Sequence, residues 1–241
     1  MPVDLPNLPE VVHLKQFETT KRAPGLKIAK KDFFADLDEL KSEFKQGKDY
    51  EIRLLDRKSK VTIVAPHGGG IEAGTSELAH AVSGDKYNLF DFCALSFDAR
   101  TKGHVTSTHF RDPQLSKLID QSTICVSLHR MRDEHSTLYL GGKNDQLKIF
   151  AAKELSKQGF KSTVNPPRLK GRSLNNFVNM AQDAGLQIEI PKTLANQLIP
   201  GVDRIYRTKN DYQLNKNQNK RFKNFVQAID KAIQEYMSKR K

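Results

Sequence analysis

Tryptophan is absent from the chain and cysteine nearly so, with only Cys93 and Cys125 among 241 residues. Both cysteines lie inside apolar runs, LFDFCALSF and TICVSLH. Such surroundings make them buried core thiols, and two residues so far apart offer neither a disulfide framework nor a structural zinc spacing. No run of ~18 apolar residues occurs, so no transmembrane helix is available. The opening stretch, MPVDLPNLPEVVHLKQFETT, lacks a basic start followed by an apolar block, and no secretory signal is expected. Acidic residues are the scarcer charge, 28 against 40 Lys+Arg, for a net +12. That excess favours polyanionic partners and does not by itself choose among nucleic acid, an anionic surface and an acidic polymer. Hydrophobic residues make up 37%, enough at this length for one sizeable core without disulfides or a structural metal.

The pattern along the chain alternates between helix and strand. Residues 1–30 are Pro-bearing and read as an extended segment; 31–46 places Phe33, Phe34, Leu37, Leu40 and Phe44 at helical spacing. Strands are expected over 50–55, 61–66, 89–97, 122–128, 160–164 and 186–190, with a short one over 104–108. Helices are expected over 77–82, from Asp112-Pro113 onward, and over 144–158. Residues 204–221 form the most polar stretch, a surface connection. A basic C-terminal helix over 218–240 then presents Phe222, Phe225, Val226, Ile229, Ile233 and Met237 on one face. This predicts one α/β domain over 1–241, a sheet sandwiched between helices, with 204–241 as a basic extension.

Three strands carry chemistry at their C-terminal ends, where ligands bind in open α/β sheets. His67 ends the first and is followed by Gly68-Gly69-Gly70-Ile71-Glu72. Fully extended, His67 and Glu72 would stand ~17 Å apart. Sharing one ion requires a chain reversal, which consecutive glycines permit. His129 ends the second strand, and Glu189 sits inside the otherwise apolar LQIEIP. Two His and one carboxylate would leave an open position on zinc, as catalytic sites do. Glu189 would then be the base for the attacking water. Simpler readings exist for each piece: a surface His, or a Glu neutralising a buried Arg or Lys. A phosphate loop lacks the completing Lys-Ser/Thr, and a lipase-type oxyanion hole lacks a Gly-x-Ser-x-Gly elbow.

The segment APHGGGIEAGTSELA (65–79) resembles the signature of the poly-γ-glutamate hydrolase family of phages and bacilli, related to the zinc carboxypeptidases. Further matches are STHFRDP (107–113), VSLHRMRDE (126–134), YLGGKND (139–145), NPPRLKGRSLNNFVNM (165–180) and GLQIEIP (185–191), in order from about Phe33 to Gln197. The resemblance implies a zinc carboxypeptidase-like fold with a mixed parallel and antiparallel sheet. It implies Zn2+ held by His67, Glu72 and His129, Glu189 as general base, and hydrolysis of γ-glutamyl amide bonds in poly-γ-glutamate or a similar anionic peptide. A monomer is expected, made in the cytoplasm because no signal peptide is seen, and released by lysis if phage-encoded. The chain departs from the family pattern at Arg130, where Gly is common, at Arg111, where an acid is common, and at Met180, where Arg is common.

His109, Arg111, Arg130, Asn176 and Asn179 are the expected substrate contacts. A planar guanidinium suits a carboxylate, and Arg100 and Arg132 lie near in sequence. Glu77 reads as a helix-start acid; His13, His80, His104 and His135 have no evident partner. Two other readings stay open: a basic nucleic-acid-binding module, for which no motif is present, and an interaction protein carrying a relic metal site.

Overall fold

The computed structural model describes residues 32–203 and 219–240. The extended segment expected over 1–30 and most of the polar connection over 204–221 lie outside the described residues. Seven strands form one sheet: β1 (Tyr50–Leu55), β2 (Val61–Gly69), β3 (Asn88–Ala94), β4 (Ile124–Met131), β5 (Leu138–Gly141), β6 (Ser162–Val164) and β7 (Gly185–Pro191). Their spatial order is β1-β3-β2-β4-β7-β5-β6. The central strands β3, β2, β4 and β7 run parallel, while β1 and β5 join antiparallel on either side and β6 follows parallel to β5. A sheet whose parallel centre is buried on both faces needs near-continuous apolar strands, and β2, β3 and β7 are buried along their whole length. The mixed sheet between helices agrees with the sequence reading.

Alternation along each strand divides the apolar residues between two clusters. Ile63, Leu89, Val126 and Ile188 face one cluster, covered by α2 (Thr75–Ser83), α5 (Asp145–Lys157), α6 (Lys192–Leu198) and α7 (Lys220–Lys239). Val64, Phe90, Phe92 and Cys125 face the other, beneath Phe110, α4 (Pro113–Asp120) and Phe177. The helix read as a basic extension is built into the first cluster: Phe222, Phe225, Ala228, Ile229, Ala232 and Ile233 are buried. Each large apolar side chain so buried contributes about 1.5–3 kcal/mol.

Three local departures from the sequence reading have physical causes. Helix α1 spans only Leu37–Glu43, because the Asp36 carboxylate accepts from the Glu39 N–H and starts it there. The expected strand over 89–97 stops at Ala94, because Ser96 caps a short helix, α3 (Phe97–Lys102). Residues 104–108 form a loop rather than a strand, with the His109 N–H donating to Thr106 O.

Candidate metal and catalytic site

Strand β2 runs past its expected end, and His67 lies inside it rather than at its terminus. Val61, Ile63 and Ala65 point to the cluster under α2 and α7, and strict alternation would send His67 the same way. A β-bulge intervenes. Ala65 pairs with Asp91 and Gly68 with Cys93, so β2 spends three residues where β3 spends two. The extra residue turns His67 to the opposite face, where its ring meets Phe110 at 6.1 Å and His129 at 5.2 Å between centroids. The glycines that follow make this possible. Gly69 has φ +64, and a Cβ on Gly68 would lie 2.0 Å from Asp91 Oδ1. The chain then reverses, as the sequence requires, and the Glu72 N–H donates to His67 O at 2.9 Å.

His129 and Glu189 are register partners on the adjacent parallel strands β4 and β7. They share the face reached by His67, since Val126, Leu128, Ile188 and Ile190 take the other. His67, His129 and Glu189 are all at most 5% exposed. Glu72 lies between the two imidazoles: Oε1 is 3.1 Å from His67 Nδ1, and Oε2 is 3.5 Å from His129 Nδ1. The Arg130 backbone N–H donates to Glu72 Oε2 at 2.9 Å and fixes the carboxylate.

The donor set fits a cation. His67 Nε2 faces Val105 O at 2.8 Å, and a carbonyl can only accept, so Nε2 carries the proton. In the neutral ring, Nδ1 therefore turns a lone pair toward a carboxylate oxygen. It is buried and makes no aligned hydrogen bond. Two such atoms repel unless a positive charge lies between them. Donors around a tetrahedral zinc with bonds of ~2.0–2.2 Å stand about 3.4 Å apart, close to the separations here.

A protonated imidazole beside Glu72 is the other way to remove that repulsion, and the charges below belong to that metal-free state. Burial raises the Glu72 carboxyl, but His67 and His129 outweigh it and hold it well below the carboxylate range. Burial lowers His129, yet its contact with Glu72 and the charge of Glu189 raise it overall. Glu189 is pushed up to about 7, by burial first and also by the negative charge of Glu72, against the opposing effect of His129. A carboxylate with that affinity for protons can take one from water near neutral pH and give it back. Its orientation is fixed by a relay: Asn176 Nδ2 donates to Gln187 Oε1, and Gln187 Nε2 donates to Glu189 Oε1, each at 2.8 Å.

The remaining expected residues are placed as follows. Asn176 is buried, serves the relay and caps the 3-10 turn Phe177–Asn179. The Asn179 amide donates to Gly171 O and Ser173 O and accepts from the Lys143 N–H. The Arg130 guanidinium pairs with Asp203 at 2.6 Å. His109 is half-buried and its Nδ1 has no hydrogen-bond partner. Arg111 is exposed and, with Phe110, Asp112, Leu115, Phe177 and Met180, lines a cavity of about 50 Å³ that includes none of the His/Glu set. Arg100 packs against Gly70, and Arg132 is exposed. His80 pairs with Asp91, while His13 lies outside the described residues.

Sequence reasoning missed His104, Asp32 and Gln187. The His104 ring lies 4.1 Å from that of His67, centroid to centroid. One donor atom each from His67, Glu72 and His104 all lie within 4.8 Å of one another. Only Gln187 left a signal, as a second polar residue two positions before Glu189 in an apolar strand.

Comparison with known proteins gives the chain's family and fold relatives. YoqZ, an SPbeta prophage-derived protein of Bacillus subtilis (strain 168), is 29% identical over 210 residues, 85% of this chain and 72% of that one. YndL of the same organism is 31% identical over 170 residues, 69% of this chain and 66% of that one. Among solved structures, a bacteriophage poly-gamma-glutamate hydrolase aligns with TM-score 0.78 at 26% identity, covering 86% of this chain and 99% of that one. The zinc-free apo form of YndL aligns with TM-score 0.75 at 27% identity, covering 85% and 98%. The poly-gamma-glutamate hydrolase family model matches residues 34–228, most of the chain and every group of the His67/Glu72/His129/Glu189 set, and the chain belongs to that family.

Proposed function

We propose that the protein is a zinc-dependent hydrolase that cleaves γ-glutamyl amide bonds in poly-γ-glutamate or a closely similar anionic peptide. The observation that carries this reading is the unpartnered His67 Nδ1 facing Glu72, with His129 beside the same carboxylate and Glu189 on the adjoining strand. His67 through Nδ1, Glu72 and His129 through Nδ1 would hold the ion. Zinc bound there supplies Lewis-acid polarisation of the scissile carbonyl and acidifies the attacking water.

The chain's own groups do the rest. Val105 O and the Arg130 N–H fix the orientations of His67 and Glu72, as hydrogen-bonded partners of metal ligands do. Glu189 takes the proton from water as the new C–O bond forms, then delivers it to the leaving amine as the C–N bond breaks. Gln187 and Asn176 hold Glu189 in place between these steps. The net +12 raises the local concentration of a polymer bearing one carboxylate per residue.

The test is to incubate the protein with poly-γ-glutamate and, separately, with DNA, each with and without a chelator. The expected result is loss of polymer length that the chelator abolishes and zinc restores, with no chelator-sensitive effect on DNA. Chelator-insensitive cleavage, or an effect on DNA alone, contradicts the reading.

A further inference from the structure

The loop between α3 and α4 carries a third, unassigned histidine to the site. His104 Nδ1 lies 2.5 Å from Asp32 Oδ1, and the other oxygen of Asp32 accepts the Thr106 N–H at 2.8 Å. The Asp32 side chain is 1% exposed, so it is committed to this loop. An ionised carboxylate only accepts, so Nδ1 of His104 is the protonated nitrogen and Nε2 carries the lone pair. That nitrogen points inward, 3.7 Å from Glu72 Oε1, the same oxygen that faces His67 Nδ1. A carboxylate accepting the far N–H of an imidazole is the usual support of a metal-binding histidine.

We propose that His104, held in its ligand tautomer by Asp32, is a fourth and exchangeable protein donor to the metal of this site. The inference rests on the zinc reading above and adds a residue to it. His104 Nε2 and His67 Nδ1 lie 3.7 and 3.1 Å from Glu72 Oε1, and one donor atom from each of these three residues lies within 4.8 Å of the others, a set that His129, 3.5 Å from Oε2 through its Nδ1, flanks rather than joins. His104 is the donor fitted to leave. Its side chain is 36% exposed and it stands on a loop, whereas those of His67 and His129 are at most 5% exposed and both stand on central strands. With zinc bound, His104 would be the donor able to withdraw and make room for substrate, while His67, Glu72 and His129 would stay in place.

The test is the zinc dissociation constant, read by competition with a chromophoric chelator, for the full chain and for His104→Ala, His104→Gln, Asp32→Asn and His129→Ala. Cobalt substitution adds a visible spectrum that reports the number of donors. The expected result is a zinc Kd raised about 100-fold by His104→Ala and about 10-fold by Asp32→Asn, each with an altered cobalt spectrum, and zinc lost outright from His129→Ala. Should His104→Ala fail to fold by circular dichroism, His104→Gln, which keeps a donor toward Asp32, carries the same expectation. Unchanged Kd and cobalt spectrum in the folded His104 variants, with zinc lost from His129→Ala, would overturn the fourth donor and leave the three-ligand site standing. A wild-type chain that takes up no zinc would overturn both.

Discussion

His67 and Glu189 illustrate how a residue's chemistry is set by what its neighbours can accept. Val105 O accepts the hydrogen bond from His67 Nε2–H, which keeps the proton on Nε2 and leaves the Nδ1 lone pair for an ion. Burial keeps Glu189 protonated well above its ordinary 4.5, up to about 7. The second effect is visible in stability. Between those two values the folded chain holds a proton that the unfolded chain has released, so the contribution is full below 4.5 and lost as pH rises through about 7. The metal-free protein should therefore lose thermal stability between about pH 5 and about pH 8, and Glu189→Gln should lose less over the same window. Equal falls in Tm for the two chelated proteins would detach the effect from Glu189. His67, Glu72, His129 and Glu189 were legible because each stands beside or within an apolar strand that has no structural need of it. His104 was not, since its partner Asp32 is 72 residues away and the contact is made through a loop with no periodicity.

At the scale of elements, the site depends on a bulge in β2. The apolar run VTIVA announces the strand, but nothing in its alternation announces the extra residue that turns His67 over. The glycines were legible as a means of chain reversal. Their second task, admitting β3 and α2 at contact distance, was not, because it depends on Asp91 and Ser76 from elsewhere in the chain. A Cβ on Gly68 would lie 2.0 Å from Asp91 Oδ1 and 2.3 Å from Ser76 Oγ. Gly68→Ala should cost about 1–3 kcal/mol of stability through overpacking and weaken zinc binding by shifting His67. An unchanged melting temperature together with unchanged zinc affinity would show that the bulge tolerates a side chain. The short helix α3 was hidden for a related reason: Phe97 reads as the last apolar residue of a strand, yet it is 76% exposed and follows the cap Ser96.

For the whole molecule, sheet class and helix cover followed from apolar runs separated by amphipathic segments, which is information carried locally. The order of the strands and the burial of α7 in the main core are long-range properties, and the C-terminal helix therefore looked like an appendage. The excess of 40 basic over 28 acidic residues is likewise a property of the whole surface. Exposed charges act on a polyanion over about 8 Å at physiological ionic strength. The kcat/KM for poly-γ-glutamate should therefore fall steadily as salt rises, while that for an uncharged γ-linked peptide should change little. Equal rates and no salt trend would assign the basic surface to some other partner.

The most direct test of the central claim pairs two measurements on one variant, Glu189→Gln. Gln is close in shape, can still meet the Gln187 amide and cannot accept a proton. The account predicts one zinc per chain by elemental analysis, as in the unaltered protein, and a rate of polymer cleavage lower by ~10²–10⁴. Near-normal cleavage by the zinc-loaded variant would contradict it, and the proton would have to be moved by another group.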